Sequence, residues 1–263
     1  MKRPTQLGDE KKLAVDIFED CAAHYATERE RTPYFQAQLK IVESMLDGAK
    51  GGRLLDVGCA AGGEIPTFRA HNFSVVGVDI APRMLQYARQ RFVNDPGVEF
   101  FRGDVDRLPF GNHSMDYVVC LGVFEFLANY EPAVVEIGRV LRPGGVAIFA
   151  IPSRVSQCEI AERLLAASIS PVWRGIKWLL RKPTPPPIGP VFRRNPCVPW
   201  KFRSLLKRNG FETRKDHYSN FFLFPFNRIP ALDARVANRL EPLCSIPFLR
   251  TLASVYMISA LKL

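Results

Sequence analysis

The feature that most constrains the fold is a regular alternation of strand and helix patterns between residues 53 and 151. Short apolar runs bounded by glycine indicate buried strands, and stretches with helical spacing of apolar residues lie between them. The predicted strands are Arg53–Gly58, Phe73–Asp79, Val98–Phe101, Met115–Leu121 and Val146–Ile151. This alternation predicts an α/β fold, a doubly wound parallel sheet with helices on both faces.

Further elements are predicted on either side of this core. They are two helices within residues 11–47, a helix over 201–209, and strands over 211–219 and 254–262. Two irregular segments, 154–198 and 221–251, interrupt the pattern, and each begins where a strand ends. We expect a single domain over residues 1–263, with residues 11–47 as an N-terminal helical cap. The last apolar stretch is too short to cross a bilayer.

The charge of the chain is concentrated in one segment. Residues 163–215 hold thirteen lysines and arginines against one acid, a net charge of +12 in a chain whose total is +10. Such a segment attracts phosphate, anionic membranes or nucleic acid, or it is only a solubilising surface. Six scattered cysteines without a C-x-x-C pair predict a reduced, cytoplasmic protein with no metal site. The first ten residues lack the apolar region of a secretory signal.

Acidic residues and glycines stand where three of the predicted strands end. The first strand runs into Leu-Leu-Asp-Val-Gly-Cys-Ala-Ala-Gly over residues 54–62, the second ends at Asp79, and Gly-Asp-Val-Asp over 103–106 follows the third. Glycine at a strand-to-helix turn lets the backbone approach a ligand, and carboxylates suit the hydroxyls of a ribose. A glycine-rich turn alone does not separate this pattern from a dinucleotide-binding site.

Later segments complete a pattern that resembles one family. Residues 103–110, 116–125 and 136–145 follow the glycine-rich turn in the order and spacing typical of class I S-adenosylmethionine-dependent methyltransferases of the small-molecule type. The resemblance covers about residues 50–153. It implies a seven-stranded sheet of order 3-2-1-4-5-7-6 with the last strand antiparallel, and S-adenosylmethionine as the cofactor.

The resemblance also implies roles for individual residues. These are Asp56, Gly58 and Gly62 at the methionine end of the cofactor, Asp79 at the ribose, Asp104 with the Val105 backbone at the adenine, Leu121 beside the cofactor, and Tyr25 as a cap from the N-terminal helices. An ordinary core tyrosine is the alternative for Tyr25. Ala60 departs from the family pattern because it stands at the middle glycine of the motif. We expect it to be tolerated if it keeps a negative φ.

Methyl transfer requires mainly that an acceptor be held in line with the sulfonium methyl group. A hydroxyl acceptor would also profit from a nearby base. His217 and Tyr218 end a predicted strand at the ligand edge of the sheet, and alternation directs only one of them inward. Glu125 follows the fourth strand at the same edge. We take these three residues as catalytic candidates, with a solvated strand-end histidine as the alternative for His217.

The two irregular segments, 154–198 and 221–251, are expected to wall the acceptor site. Their interleaved aromatic and basic residues indicate a hydrophobic or lipid-linked small molecule, with or without an anionic group, and they also suit peripheral contact with an anionic membrane. O-methylation is the first expectation and C-methylation the second. The alternatives are an RNA- or protein-directed methyltransferase that uses residues 163–215, and a non-catalytic binding protein. Nucleic acid is disfavoured because no accessory binding module is recognisable. The oligomeric state is left open.

Overall fold

The computed structural model describes residues 7–156, 160, 195–219 and 249–263. Its helices are α1 Leu7–Glu30, α2 Pro33–Leu46, α3 Ile65–Ala70, α4 Pro82–Arg91, α5 Glu131–Val140 and α6 Pro199–Arg208, with short 3-10 turns at Phe124–Phe126 and Leu249–Leu252. Its strands are β1 Arg53–Val57, β2 Ser74–Asp79, β3 Val98–Arg102, β4 Met115–Leu121, β5 Leu141–Pro152, β6 Phe211–Ser219 and β7 Val255–Lys262. The positions of the elements therefore follow the predicted order.

The seven strands form one sheet in the order β3-β2-β1-β4-β5-β7-β6. β1 to β5 pair in parallel, whereas β7 is antiparallel to both of its neighbours. The predicted fold class is confirmed, including the antiparallel last strand. In a sheet of this kind the carboxyl ends of β1, β2, β3 and β4 meet at one edge, and the reversal of strand order beside β1 leaves a crevice there.

The sheet is buried on both faces, which explains why its central strands are continuously apolar. One core cluster contains Phe124, Phe149 and Phe202, and the other contains Phe68 and Phe73, all of them fully buried. Proline in the first turn starts each helix from α2 to α6, where its fixed φ suits the helix and no backbone donor is lost. Local sequence thus sets where these helices begin.

One boundary differs from the prediction. The sequence Arg-Pro-Gly-Gly over residues 142–145 is expected to separate a helix from the fifth strand, but β5 already begins at Leu141. Leu141 is fully buried and pairs with Met115, and a register shift between Met115 and Tyr117 accommodates the glycines. Tertiary pairing therefore overrides the local break signal.

The two irregular segments fall largely outside the described residues. Most of 154–198 and of 221–251 is not covered, so their expected role as walls of the acceptor site remains a prediction. The N-terminal cap is described as α1 and α2, which contact each other, and α1 also contacts α4. Among the described residues, no helix combines the length and apolar character needed to span a bilayer.

Candidate cofactor site

A cavity of about 730 Å³, including its mouth, lies at the carboxyl ends of the first four strands. Its described lining residues are Lys11, Ala14, Phe18, Tyr25 and Arg29 of α1; Val57, Gly58 and Ala60 after β1; Val78, Asp79 and Ile80 at β2; Gly103, Asp104 and Val105 after β3; and Leu121, Gly122, Val123, Phe126 and Leu127 after β4. The crevice predicted from the sheet topology is therefore present, and α1 forms its roof.

The turn after β1 is shaped for close approach of a ligand. Gly58 has a φ of 75°, and a Cβ atom added there would lie 2.2 Å from Val123 Cγ2. Gly62 has a φ of 79°, but it lies behind the cavity, where an added Cβ would meet the Phe92 ring at 2.7 Å. Both positions require glycine, Gly58 at the cavity and Gly62 for packing.

The expectation that Ala60 keeps a negative φ is wrong. Its φ is 46°, in the left-handed region that costs a residue with a side chain about 1–2 kcal/mol. The strain has a local compensation, because Ala60 N donates a hydrogen bond of 2.8 Å to Asp79 Oδ2. The turn thus keeps the conformation of a glycine while carrying an alanine, and its amide points at the carboxylate on the neighbouring strand.

Asp79 ends β2 on the cavity wall. Its Oδ2 accepts from Ala60 N and its Oδ1 accepts from Ala81 N at 2.9 Å. Burial raises the pKa of the Asp79 carboxyl above its ordinary value, and the hydrogen bonds from the Ala81 and Ala60 amides oppose that rise. Each carboxylate oxygen accepts about two hydrogen bonds, so each Asp79 oxygen retains a position for a ligand hydroxyl.

Asp104, after β3, is held by a lysine that the sequence did not suggest. Lys11 Nζ lies 2.8 Å from both oxygens of Asp104 and 2.6 Å from Asp106 Oδ2. Although burial opposes it, the two carboxylates raise the pKa of Lys11. Asp106 N also donates to Asp104 Oδ1, at 3.1 Å, which leaves one accepting position on Asp104 Oδ2. That position suits a single exocyclic amine.

The roof of the cavity is one face of α1. Lys11, Ala14, Phe18, Tyr25 and Arg29 follow one another at intervals of three, four or seven residues, so they share a face of the helix. The Phe18 ring contacts the Tyr25 and Phe126 rings edge to face, each at a centroid distance of 5.5 Å. Sequence reasoning found only Tyr25. Basic residues at both ends of an otherwise apolar helical stripe were the signal for Lys11 and Arg29.

At the Arg29 end of the roof, charged groups are buried together. Arg29 Nη2 lies 2.9 Å from Glu64 Oε1; the Glu64 side chain is almost fully enclosed and that of Arg29 is 17% exposed. Although burial opposes it, Glu64 raises the pKa of Arg29, and Tyr25, Tyr34 and Asp56 add to the rise. Burial, with Glu64 next, raises the pKa of Asp56 well above its usual range. Within the described part of the chain, Asp56 Oδ2 and Glu64 Oε2 have no hydrogen-bond partner.

Of the remaining residues predicted to bind the cofactor, some line the cavity and one lies behind its lining. Leu121, Val105 and Tyr25 line the cavity, and burial raises the pKa of Tyr25 to about 12. Asp56 does not reach the lining; it lies behind the turn after β1, 2% exposed. Within the described ranges, no group of three or more His, Cys, Asp or Glu side chains is arranged to hold a metal ion.

The three catalytic candidates are not together. His217 lies in a separate surface groove with Ser44 and Arg214, and Tyr218 is buried against Tyr256 at a ring centroid distance of 4.9 Å. β6 is four strands from β1, about 19 Å at ordinary strand spacing. The strand end was thus predicted correctly, but its lateral position places both residues outside the described cavity lining.

Glu125 is the candidate nearest to the cavity. It lies in the 3-10 turn Phe124–Phe126, directly before the lining residue Phe126. Its Oε1 is 3.8 Å from the position that a Cβ would take on Gly122, another lining residue. The half-buried Glu125 carboxylate therefore stands at the rim of the cavity.

The described part of the basic segment lies on α6 and β6, away from the cavity. Arg203 pairs with Asp216, and Lys215 Nζ lies 2.6 Å from Asp47 Oδ1. Two of its cations therefore join elements of the fold. The other part of the basic segment, residues 163–194, lies outside the described residues. A nucleic-acid or membrane role for the segment therefore remains a prediction.

The comparisons with known proteins agree with this geometry. Residues 55–149 match the family model described as a methyltransferase domain. This stretch spans β1 to the middle of β5, including every strand end that lines the cavity. The sheet order is the one that the family resemblance implied. The chain contains a class I methyltransferase domain.

Two curated relatives match the methyltransferase domain. A phthiotriol/phenolphthiotriol dimycocerosates methyltransferase of Mycobacterium leprae is 37% identical over 97 residues, 36% of this chain and 36% of that protein. A malonyl-[acyl-carrier protein] O-methyltransferase of Serratia marcescens is 32% identical over 112 residues, 43% of each chain. The chain thus matches less than half the length of these relatives.

A solved structure shares the fold over a longer stretch. The S-adenosylmethionine-dependent methyltransferase of Mesorhizobium loti superposes with a TM-score of 0.58 at 19% identity, covering 85% of this chain and 96% of the other. The domain family implies S-adenosylmethionine as the cofactor. The residues present fit it, because a turn that a Cβ would fill and two carboxylates with free accepting positions line one cavity.

Proposed function

We propose that the protein transfers a methyl group from S-adenosylmethionine to a small, hydrophobic or lipid-linked acceptor. The observation that carries the proposal is the placement of Asp79 and Asp104 on adjacent strand ends of one cavity, beside the Gly58 turn. A carboxylate that accepts two ribose hydroxyls and a second that accepts an adenine amine recognise an adenosyl group in one orientation.

The chain's own contribution to the reaction is positioning. The sulfonium of the bound cofactor supplies an already activated methyl group. Asp79 and Asp104 orient the adenosine, and the Gly58 turn lets the backbone come close to the cofactor. The α1 roof covers the cavity with Phe18 and Tyr25, which reduces the access of water. Alignment of this kind lowers a barrier by up to about 7–11 kcal/mol without acid–base chemistry.

The apolar part of the cavity supports a hydrophobic acceptor. Ala14 and Phe18 of α1, with Val123, Phe126 and Leu127 after β4, supply an apolar surface to its lining. The names of the two curated relatives point to a phthiotriol or phenolphthiotriol dimycocerosate lipid in one and to a malonyl-[acyl-carrier protein] in the other. The first of these acceptor types would present an apolar chain to such a surface. O-methylation fits the second relative and remains our preferred reaction type, with C-methylation as the alternative.

Glu125 is our preferred general base for a hydroxyl acceptor. It stands at the cavity rim, whereas His217 and Tyr218 lie outside the described lining. Its carboxylate oxygen would accept the proton of the acceptor hydroxyl as the methyl group is transferred. Glu125→Gln should lower kcat on a hydroxyl acceptor while leaving cofactor affinity unchanged.

The proposal is tested by cofactor binding followed by turnover. Calorimetric titration with S-adenosylmethionine should show binding by the wild type and at least tenfold weaker binding by Asp79→Ala, because two charge-assisted ribose contacts are lost. Asp95→Asn is the control, since it removes an ion pair with Arg69 away from the cavity. Unchanged affinity in Asp79→Ala would refute the ribose assignment.

Turnover is measured with labelled S-adenosylmethionine and with acceptors of the two kinds that the relatives' names indicate, a malonyl-acyl-carrier protein and a phenolic lipid. Transfer of label to the phenolic lipid supports a hydrophobic or lipid-linked acceptor, whereas transfer to the malonyl-acyl-carrier protein alone would contradict the hydrophobic part of the proposal. Transfer to RNA or to a protein side chain, with none to these acceptors, would favour the alternative function.

A further inference from the structure

The buried ion pair between Arg29 and Glu64 lies outside every motif that the family resemblance supplied. Glu64 is 2% exposed and caps α3 directly after the glycine-rich turn. Arg29 comes from the far end of α1 and lines the cavity. An arginine is almost never buried unless its charge is used, so this arrangement calls for a role.

The position of Arg29 is fixed on several sides. Its guanidinium carbon lies 4.9 Å from the centre of the buried Phe35 ring and 5.6 Å from that of Tyr25. Glu64 holds one end of the guanidinium at 2.9 Å. A guanidinium has five N–H donors in a planar fork, and the described residues supply one ion pair, with Glu64. Further donors therefore remain for a ligand in the cavity.

The ligand group that these donors would meet follows from the geometry of the cavity. Lys11 and Asp104 mark the adenine end, and Lys11 lies eighteen residues before Arg29 on α1, about 27 Å along a straight helix. Both residues reach into the same cavity, so Arg29 marks the opposite end. The adenosyl cofactor extends from its adenine to an amino-acid tail, and the α-carboxylate of that tail is its only anionic group.

We propose that Glu64 positions the Arg29 guanidinium so that it binds the α-carboxylate of the cofactor's amino-acid tail. The assignment rests on the proposed function. Arg29 is a binding residue in this arrangement, and Glu64 is a positioning residue that acts through it. Beside this pair, Glu64 Oε2 and Asp56 Oδ2 have no hydrogen-bond partner among the described residues, so they can accept hydrogen bonds from the neighbouring α-ammonium.

The test compares two ligands that share the adenosine but differ in the amino-acid tail and in the charge at sulfur, so each variant is compared with the wild type for each ligand separately. S-adenosylmethionine carries the amino-acid tail, whereas 5′-methylthioadenosine has the same adenosine without it. In calorimetric titrations, Glu64→Gln should weaken binding of S-adenosylmethionine about tenfold and leave binding of 5′-methylthioadenosine within about twofold. Arg29→Lys keeps the positive charge but loses the fork, and it should show the same selective loss.

Asp95→Asn is the matched control, because it breaks another arginine–carboxylate pair, outside the cavity, and should leave the ratio of the two affinities unchanged. Equal weakening for both ligands in the two test variants would overturn the proposal, since a general loss of structure does not distinguish the tail. An unchanged affinity for S-adenosylmethionine would also overturn it. If the wild type binds 5′-methylthioadenosine as tightly as S-adenosylmethionine, the proposed binding of the tail carboxylate by Arg29 is wrong, but the adenosine site is supported. If the wild type binds neither ligand, the proposed function itself is wrong.

Discussion

The two halves of the sheet are built for different purposes. Around β5 and α6, the buried rings of Phe124, Phe149, Phe202 and Phe211 contact one another edge to face, at centroid distances between 5.4 and 6.2 Å. Around β1 and β2 there is instead a cavity, with the buried carboxyl of Asp56 behind it and the half-buried carboxyl of Asp79 on its wall. The comparison teaches that one half of the sheet is closed by apolar packing, whereas the other half keeps polar groups at an open cavity, as a binding site requires.

The largest effect is expected when an aromatic ring is removed from the half of the sheet around β5 and α6, and this substitution tests whether packing there stabilises the fold. Phe149 is fully buried on β5 and contacts three other aromatic rings. Phe149→Ala should lower the free energy of unfolding by about 3–5 kcal/mol, through lost burial and the cavity that remains. Urea unfolding followed by circular dichroism measures this. A loss under about 1 kcal/mol would show that the aromatic cluster is not the stable half.

The second prediction concerns pH in the cavity half. Burial raises the pKa of Asp79, so its protonated form becomes populated above the ordinary carboxyl range, and a neutral carboxyl accepts ligand hydroxyls less strongly. Affinity for 5′-methylthioadenosine should therefore fall as the pH is lowered from neutral through the raised pKa of Asp79. Asp79→Asn should bind more weakly at neutral pH and show a flatter profile. Identical profiles for the two proteins would contradict the assignment.

The free energy of unfolding should also depend on the ionisation of Asp79, but it should change with pH in the opposite direction to the ligand affinity. A carboxyl with a raised pKa in the folded state favours folding at low pH, below its unfolded pKa, and that contribution is lost as the pH rises through the folded pKa. Relative to the wild type, Asp79→Asn should thus gain stability with rising pH over this window. The nearby Glu64 carboxyl also faces this region, so the comparison is made in variants that retain it.

The smallest effect is expected at the turn after β1. Ala60 has a positive φ, and glycine at that position relieves the strain. Ala60→Gly should raise the free energy of unfolding by about 0.5–1 kcal/mol. Ala61, whose φ is not positive, is the control, and Ala61→Gly should lower stability. A loss of stability in Ala60→Gly would show that the methyl group's packing against its neighbours outweighs the backbone strain.

Much of the fold was predictable because its strands carry strong local signals. Continuous apolar runs ending in glycine or aspartate marked β1 and β2, and the family resemblance supplied the sheet order. The start of β5 was missed because pairing of Leu141 with Met115 outweighs a local proline–glycine break.

The cavity lining was predictable only where a motif is local. Asp79 and Asp104 follow strand ends and line the cavity, whereas Lys11 and Arg29 line it through a helix that crosses it; their roles in binding remain predictions. His217 was misplaced relative to the cavity because a sequence shows that a strand ends at the ligand edge but not how far along that edge it lies. Such lateral distance is a property of the assembled sheet.

The roof helix has one further consequence, which concerns the register of its residues. Lys11 forms an ion pair with Asp104 at one end of α1, and Arg29 forms one with Glu64 at the other. Both ion pairs depend on Lys11 and Arg29 sharing a face of α1. Successive residues of a helix are rotated by about 100°, so deleting one residue between Lys11 and Arg29 would turn one of these two side chains away from the cavity. Composition and charge would stay almost unchanged. The spacing between Lys11 and Arg29 along this helix, more than the identity of most residues between them, therefore sets the distance between the two charged ends of the cavity roof.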